Sequence, residues 1–371
     1  MDNFLSALCM TASQQRHNIP WKLQGTHSDL GSFHLVYTLL FDDGVKWVVR
    51  MQRKALQFHY IPSYEEMDRF KSELSTMKWL KRNTKVKLPE VYAWKVPVAG
   101  ELTSHNGGAP NLQSVPWMLM EKLEGVGLTY EMWDAFGGEE RKKILAQVAE
   151  LYLELSRYGL NALGSVQSTL DLEGDAKIGL RVYRYSFPPA SVASDDKVSL
   201  SAIYRDTITK IQNEGIARTI TTLHARVIST MPSSTRYFIA HPDLNPTNII
   251  INPSTLKISG FIDWDCAHTV HPFEFCIHPW FIQDRWYVDW NPEELARNQR
   301  DRKWFVENLR EKEGDSRGRI GLADLFGKSR GVFLLGQYLH DTVCTDAEAL
   351  ARMHGRLKPE VDGWLAEISK C

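Results

Sequence analysis

No run in the 371 residues approaches the ~18 consecutive apolar residues of a membrane span. Cysteine is sparse: Cys9, Cys266, Cys276, Cys344 and Cys371 are odd in number and form no C-x-x-C pair. Such a set fits free thiols in a reducing compartment better than a disulfide framework. An excess of one charge is also lacking. A net charge of −1 leaves no electrostatic case for nucleic acid or an anionic membrane as partner. The opening MDNFLSALCM carries Asp2 where a signal peptide carries positive charge, and no apolar core of adequate length follows. Repeats and low-complexity tracts are missing too. These absences lead to the expectation of a cytoplasmic protein of ordinary globular composition.

What is present divides the chain in two. Residues 1–122 hold 15 basic and 11 acidic side chains, so the remainder is mildly acidic. In the first part, FHLVYTLLFDDGVKWVVRM (33–51) reads as two strands joined at Asp43-Gly44, a hairpin signal because both turn positions want positive φ. The small-residue loop GTHSDLGSF (25–33) precedes them. In 62–82, Met67, Phe70, Leu74, Met77 and Leu80 recur at three- and four-residue intervals, which predicts an amphipathic helix. EVYAWKV and WMLMEKLEG read as further strands, separated by a Gly/Pro/Asn-rich loop at 99–116. Beyond 123 the texture is helical, with predicted helices at 139–159 and from Ile208 and Ile211 to Val227, stopped by Pro232. A small β insertion is expected at 236–263. The expected organisation is α+β: a β-rich lobe of 1–122 with one helix, and a mostly helical lobe of 123–371, hinged near 120–125.

The densest chemistry lies in HPDLNPTNIIINPSTLKISGFIDWD (241–265). Asp243 follows His241 by two residues and Asn248 follows Asp243 by five, the spacing of the kinase loop H-R-D-L-x-x-x-N. Phosphoryl transfer needs an oriented acceptor hydroxyl and cations that neutralise phosphate oxygens. Asp243 suits the proton-accepting role, Asn248 offers an amide oxygen to Mg²⁺, and Asp263 a carboxylate to the same metal. The runs NIII and ISGFI form the hairpin that separates them. Upstream, Gly31 and Ser32 fall in a loop suited to covering phosphates. Arg50, paired with Glu73, suits the α- and β-phosphates. The main chain at Met120, Glu121 and Lys122 suits an adenine ring.

With these residues in place, the chain resembles the aminoglycoside phosphotransferase and choline-kinase-like family of small-molecule kinases from about residue 25 to 280. The similarity rests on HPDLNPTN…FIDWD and on FKSELSTMKWL…LPEVYAW. It is greatest to eukaryotic members with WVVR on the third strand and a PW run, here Pro279-Trp280, after the metal-binding Asp. The resemblance implies a two-lobed protein-kinase-like fold, ATP and Mg²⁺, and a small-molecule acceptor. It assigns Asp243 as base, Asn248 and Asp263 as Mg²⁺ ligands, Glu73 as partner of the cation at 50, and His241 as support for the loop.

The pattern departs from the family in places. Arg50 stands where most kinases carry Lys, exchanging a point charge for a planar fork. Pro242 replaces the common Gly. Asp263 is followed by no Gly and no A-P-E segment, which argues against a protein kinase. The same Arg50 leaves a second class open, a kinase-like chain that binds nucleotide or metabolite and acts by interaction.

Two further segments invite chemistry. Cys266, His268, His271, Cys276 and His278 are spaced C-x-H-x2-H-x4-C-x-H, which matches no usual structural-zinc pattern, so buried or hydrogen-bonded roles are expected. Asp265, Trp280, Asp284 and Trp286, with Tyr287, Asp289 and Trp290, are candidate acceptor contacts, since aromatics with acids can cage an amine. Residues 264–371 hold 18 acids against 15 bases, too balanced for a polycationic pocket. The sequence leaves the oligomeric state open.

Overall fold

Side-chain alternation decides which way the first sheet presents its chemistry. The computed structural model describes residues 2–24, 34–52, 63–97, 115–167, 177–179, 213–284, 291–314, 321–335 and 347–368. Strands β1 (Trp21–Gln24), β2 (His34–Phe41), β3 (Lys46–Gln52), β4 (Val91–Lys95) and β5 (Trp117–Glu121) form an antiparallel sheet in the order β1-β2-β3-β5-β4. The Asp43-Gly44 hairpin forms as expected, with Gly44 at φ +85°. In β3, Trp47, Val49 and Met51 point to one face, where Leu8, Cys9 and Ala12 of helix α1 (Asp2–Gln15) cover them. Successive side chains in a strand alternate between faces, so Arg50 points to the opposite face, toward helix α2 (Tyr64–Asn83). Both faces of β5 are thereby buried, which accounts for its continuous apolar run.

Helix α1 is an addition to the single helix expected in this part. Its buried stripe of Leu8, Cys9 and Ala12 includes two small residues, a weak apolar signal before the sheet is folded beneath it. Helix α2 matches the predicted range. Ser63 accepts from the Glu66 N–H and the Glu66 carboxylate accepts from the Ser63 N–H, a capping box that fixes where the helix starts. Most of the 99–116 loop, together with Ile208 and Ile211, lies outside the described residues.

The second part is built on helices α3 (Tyr130–Ala135), α4 (Gly138–Ser156) and α5 (Glu214–Thr230), then the short α6 (Pro272–Phe275), α7 (Pro292–Glu313), α8 (Leu322–Lys328) and α9 (Ala347–Ile368). Its strands are β6 (Val126–Gly127), β7 (Gly164–Gln167), β8 (Lys177–Gly179), β9 (Phe238–Ala240), β10 (Ile249–Asn252), β11 (Lys257–Phe261) and β12 (His268–Val270). They form a three-stranded sheet β11-β10-β6 and a four-stranded sheet β8-β7-β12-β9. The small β insertion expected at 236–263 is thus present but wider, because β6, β7, β8 and β12 are too short to show a period of two in sequence.

The hairpin β10–β11 is held from several sides. Ile249, Ile251, Ile258 and Phe261 are buried in a core shared with Leu74 and Met77 of α2 and Ile144, Val148 and Tyr152 of α4. Each such side chain contributes about 1.5–3 kcal/mol on burial. Gln147 of α4 donates to Leu256 O at 2.9 Å and accepts from Ile258 N–H at 2.8 Å, pinning the hairpin turn. Gly260 of β11 lies against the 84–90 connection; a Cβ there would stand 2.6 Å from Leu123 Cδ1 and 3.0 Å from Lys87 O. Only a glycine permits that approach of the two parts of the chain.

Candidate active site

The loop between β9 and β10 is fixed by its own polar groups. His241 Nε2 donates to Ile262 O at 2.8 Å, so Nδ1 is unprotonated and accepts from Asp243 N–H at 3.3 Å. The ring packs on Trp264, 4.7 Å between centroids. Asn248 Nδ2 donates to Asp243 O at 2.8 Å, which turns its Oδ1 away from that carbonyl. Ile262 N–H in turn donates to Asn248 O at 2.9 Å. The residue before Asp263 is therefore bonded to both ends of the loop, which ties the main chain leading into Asp263 to the segment that carries Asp243. Asp263 itself adopts φ +62°, a conformation unfavourable for a non-glycine residue and held by these flanking bonds.

From the first sheet, Arg50 reaches across to the same place. Its guanidinium donates to the Glu73 carboxylate, to Asp263 Oδ1 at 2.8 Å, and lies 3.0 Å from His34 Nδ1. The pair expected between Arg50 and Glu73 forms, with both side chains almost fully buried. One helical turn earlier, Arg69 donates to the carboxylate of Asp265, which is 2% exposed. The i,i+4 spacing of Arg69 and Glu73 thus sets both on one face of α2, against the segment that follows β11.

Two cations and three carboxylates in one partly buried cluster perturb one another. Burial opposes the charge on Arg50, but Glu73, Asp263 and Asp265 outweigh it and raise its pKa. Burial pushes Glu73 up to about 7 against the pull of Arg50. Burial and then the charge of Arg50 lower His34 to about 3, so its ring is neutral. For Asp265, burial is outweighed by the hydrogen bonds and charge of Arg69, which hold it at about 2. Perturbation of this kind concentrates where charge is used.

Other predicted residues are placed differently. The N–H groups of Glu121 and Lys122, expected to meet adenine, donate instead to Glu90 O at 2.8 Å and Lys46 O at 3.2 Å. Met120 faces both neighbouring strands in the ladder. The chain leaves the ladder only at Leu123 and Glu124, because the lysine N–H still has a β3-side partner. Asp265 and Asp284, expected as acceptor contacts, are each held by an arginine. Asp265 is engaged by Arg69, and Asp284 by Arg302 at 2.9 and 2.8 Å with Asn298 at 3.4 Å. Trp280 lines a cavity against the loop. Gly31, Ser32, Trp286, Tyr287, Asp289 and Trp290 lie outside the described residues.

The zinc-like segment behaves as expected for hydrogen-bonded residues. His268 bonds Cys266 O at 2.8 Å, His271 bonds Pro232 O at 3.0 Å, and no cluster able to hold a metal through His, Cys, Asp and Glu alone occurs among the described residues.

Sequence reasoning missed two residues. Asn245 Nδ2 donates to Asp243 Oδ1, and Asn245 Oδ1 accepts from Tyr130 OH at 2.9 Å. Asn245 sits inside the motif and is recoverable from it by its amide. Tyr130 comes from α3, more than a hundred residues away, and carries no sequence signal.

The chain matches known proteins in sequence profile and in fold. A profile described as a phosphotransferase enzyme family fits residues 31–310, well over half of the chain. The chain belongs to the phosphotransferase enzyme family. In fold, this phosphotransferase-family chain is similar to the GDP complex of wild-type aminoglycoside 2'-phosphotransferase-IIIa, at 14% identity and a TM-score of 0.51 over 97% of this chain and 99% of that one. It is also similar to the GDP and kanamycin complex of APH(2")-IIIa, at 16% identity and a TM-score of 0.52 over 96% and 98%. At these identities the likeness shows the fold, the expected α+β, two-lobed, protein-kinase-like architecture. A subtelomeric hrmA-associated cluster protein of Aspergillus fumigatus is 28% identical over 144 residues, 38% of this chain and 24% of that relative, so the match spans about a quarter of its length.

Proposed function

We propose that this protein transfers the γ-phosphoryl group of ATP to a hydroxyl of a small molecule, with Mg²⁺ as cofactor. The observation that supports the reading is the double tie of Ile262, to His241 and to Asn248, which joins the strand end before Asp263 to the loop that carries Asp243. The donor set fits a hard cation. Asn248 offers an amide oxygen and Asp263 a carboxylate, with no thiol or imidazole between them. When bound there, Mg²⁺ supplies neutralisation of phosphate charge.

Asp243 orients the acceptor hydroxyl and takes its proton as the new oxygen–phosphorus bond forms and the bond to the bridging oxygen of ADP breaks. Arg50, held by Glu73, is the cation for the α- and β-phosphates. The base of the nucleotide is assigned to the main chain at Leu123 and Glu124, and the loop of Gly31 and Ser32 to the phosphates. GDP in both solved relatives supports a nucleotide donor. The nucleotide-binding lobe is assigned to 1–122 and the acceptor-binding lobe to 123–371. Cys9, Cys266 and Cys276 are buried thiols outside any disulfide among the described residues, which suits a reducing cytoplasm. No described helix is long and apolar enough to cross a membrane.

The test is ADP release with Mg-ATP across amino-alcohols, sugars and neutral alcohols, with Asp243→Asn as control. Turnover for at least one acceptor, lowered about 10²–10⁴-fold in Asp243→Asn, is expected. Turnover that survives Asp243→Asn sinks the mechanism. No turnover and no ATP-dependent thermal shift favours the interaction class.

A further inference from the structure

A cavity of about 280 Å³ lies against the catalytic loop. One wall is made by His241, Pro242 and Leu244, the residues that flank Asp243 in the chain. The opposite walls come from Leu151 and Leu155 of α4, Val270 of β12, Phe275 of α6, and Trp280 and Phe333. The volume is at the small end for pockets that bury a ligand.

The polar groups around it carry little negative charge. Glu274 is the one carboxylate among the described lining residues, and its Oε2 accepts from His271 N–H at 3.4 Å. Two other acids of the same stretch, Asp265 and Asp284, are neutralised by Arg69 and Arg302. A polyammonium ligand entering here would be desolvated without matching carboxylates, at high cost. Besides apolar surface and Glu274, the described lining residues offer neutral groups. Burial, with Arg302 adding to it, lowers His278 to about 3, and its Nε2 is buried without a hydrogen-bond partner. Gln283 supplies an amide.

We infer that the acceptor is a small, uncharged alcohol with a mainly apolar body, seated in this cavity with its hydroxyl at the Pro242 rim beside Asp243. The inference rests on the phosphotransferase reading above and names its substrate class. Amines and aminosugars are disfavoured because Glu274 is the single carboxylate among the described lining residues; an apolar body is favoured by the leucines, valine and aromatics of the wall.

The probe is 2-phenylethanol, leading a set of neutral aryl-alkyl alcohols, compared with protonated 2-phenylethylamine and with kanamycin. With the full chain and Mg-ATP, saturable ADP release is expected with a neutral alcohol of the set, at a higher kcat/KM than with either cation. Val270→Phe, which fills the cavity, lowers that kcat/KM by about tenfold or more without abolishing cooperative melting. Ile277→Trp, at a half-buried lining position, serves the same purpose where Val270→Phe does not fold. A higher kcat/KM for 2-phenylethylamine or kanamycin overturns the inference, as does a kcat/KM for the alcohol that neither filling moves. Slow ADP release without any acceptor, lost in Asp263→Asn, reads the phosphotransferase assignment separately. If it is present and no neutral alcohol accelerates it, the inference alone fails. If it is absent and no nucleotide binds, the reading beneath it fails.

Discussion

Arg50 Nη2 lies 2.8 Å from Asp263 Oδ1, a contact between residues 213 positions apart that closes the first sheet onto the catalytic hairpin. The same guanidinium holds Glu73, so one side chain joins β3, α2 and the segment after β11. A buried ion pair that loses one partner leaves an uncompensated charge. Arg50→Ala is therefore expected to lower unfolding free energy by on the order of 3 kcal/mol in urea denaturation. Arg50→Lys keeps the charge but not the fork. It is expected to retain most of that stability and to raise KM for ATP about tenfold, the worth of one charge-assisted bond.

Asn245 fixes one oxygen of Asp243, and Tyr130 fixes Asn245. Loss of this relay frees the carboxylate to rotate without touching nucleotide. Asn245→Ala is expected to lower kcat about tenfold with KM for ATP nearly unchanged, and Tyr130→Phe to lower it less. The double variant is expected to match Asn245→Ala, because the tyrosine hydroxyl reaches Asp243 through that amide. Additive losses in steady-state kinetics contradict the relay.

Glu73 gives stability a defined pH dependence. Its folded pKa, raised by burial to about 7, exceeds the ordinary carboxylate value. The folded chain then holds a proton that the unfolded chain has released, and the stabilisation is present at acid pH and lost as pH rises through about 7. Glu73→Gln removes this titration. The melting temperature of the native chain minus that of Glu73→Gln should fall between about pH 5 and pH 8; a flat difference means that the carboxyl is ionised throughout.

Gly125 and Gly44 both have positive φ but differ in surroundings. A Cβ on Gly125, at φ +119°, would stand 2.2 Å from Ile251 O, inside the β6–β10 pairing, whereas one on Gly44 meets nothing within 4 Å. Gly125→Ala is expected to cost at least about 2 kcal/mol and Gly44→Ala about 1 kcal/mol in denaturation measurements.

Much of this was legible in sequence because it is local. The period of two in β2 and β3, the Asp43-Gly44 turn, the 3.6 period and capping box of α2, and the five-residue offset of Asp243 and Asn248 are all encoded within single segments. The hairpin between Asn248 and Asp263 follows from two apolar runs and an Asn-Pro-Ser-Thr turn. Backbone preference and side-chain periodicity act over a few residues, so they leave a readable pattern.

Only the tertiary structure decided which charges meet. Arg69 selects Asp265 and Arg302 selects Asp284, pairings that no local pattern in the sequence announces. Lys46 O claims the Lys122 N–H because β3 lies beside β5. Tyr130 finds Asn245 because β6 pairs with β10 and sets α3 over the loop. Helix α1 is recognisable once the sheet face exists to cover it. Partners in a hydrogen bond or ion pair are set by packing of elements far apart in the chain, and the burial that shifts Glu73 and His34 exists only after that packing. The sequence alone determined the elements and the spacing of Asp243, Asn248 and Asp263; the folded core determined their pairings, their charges and the shape of the cavity beside the loop.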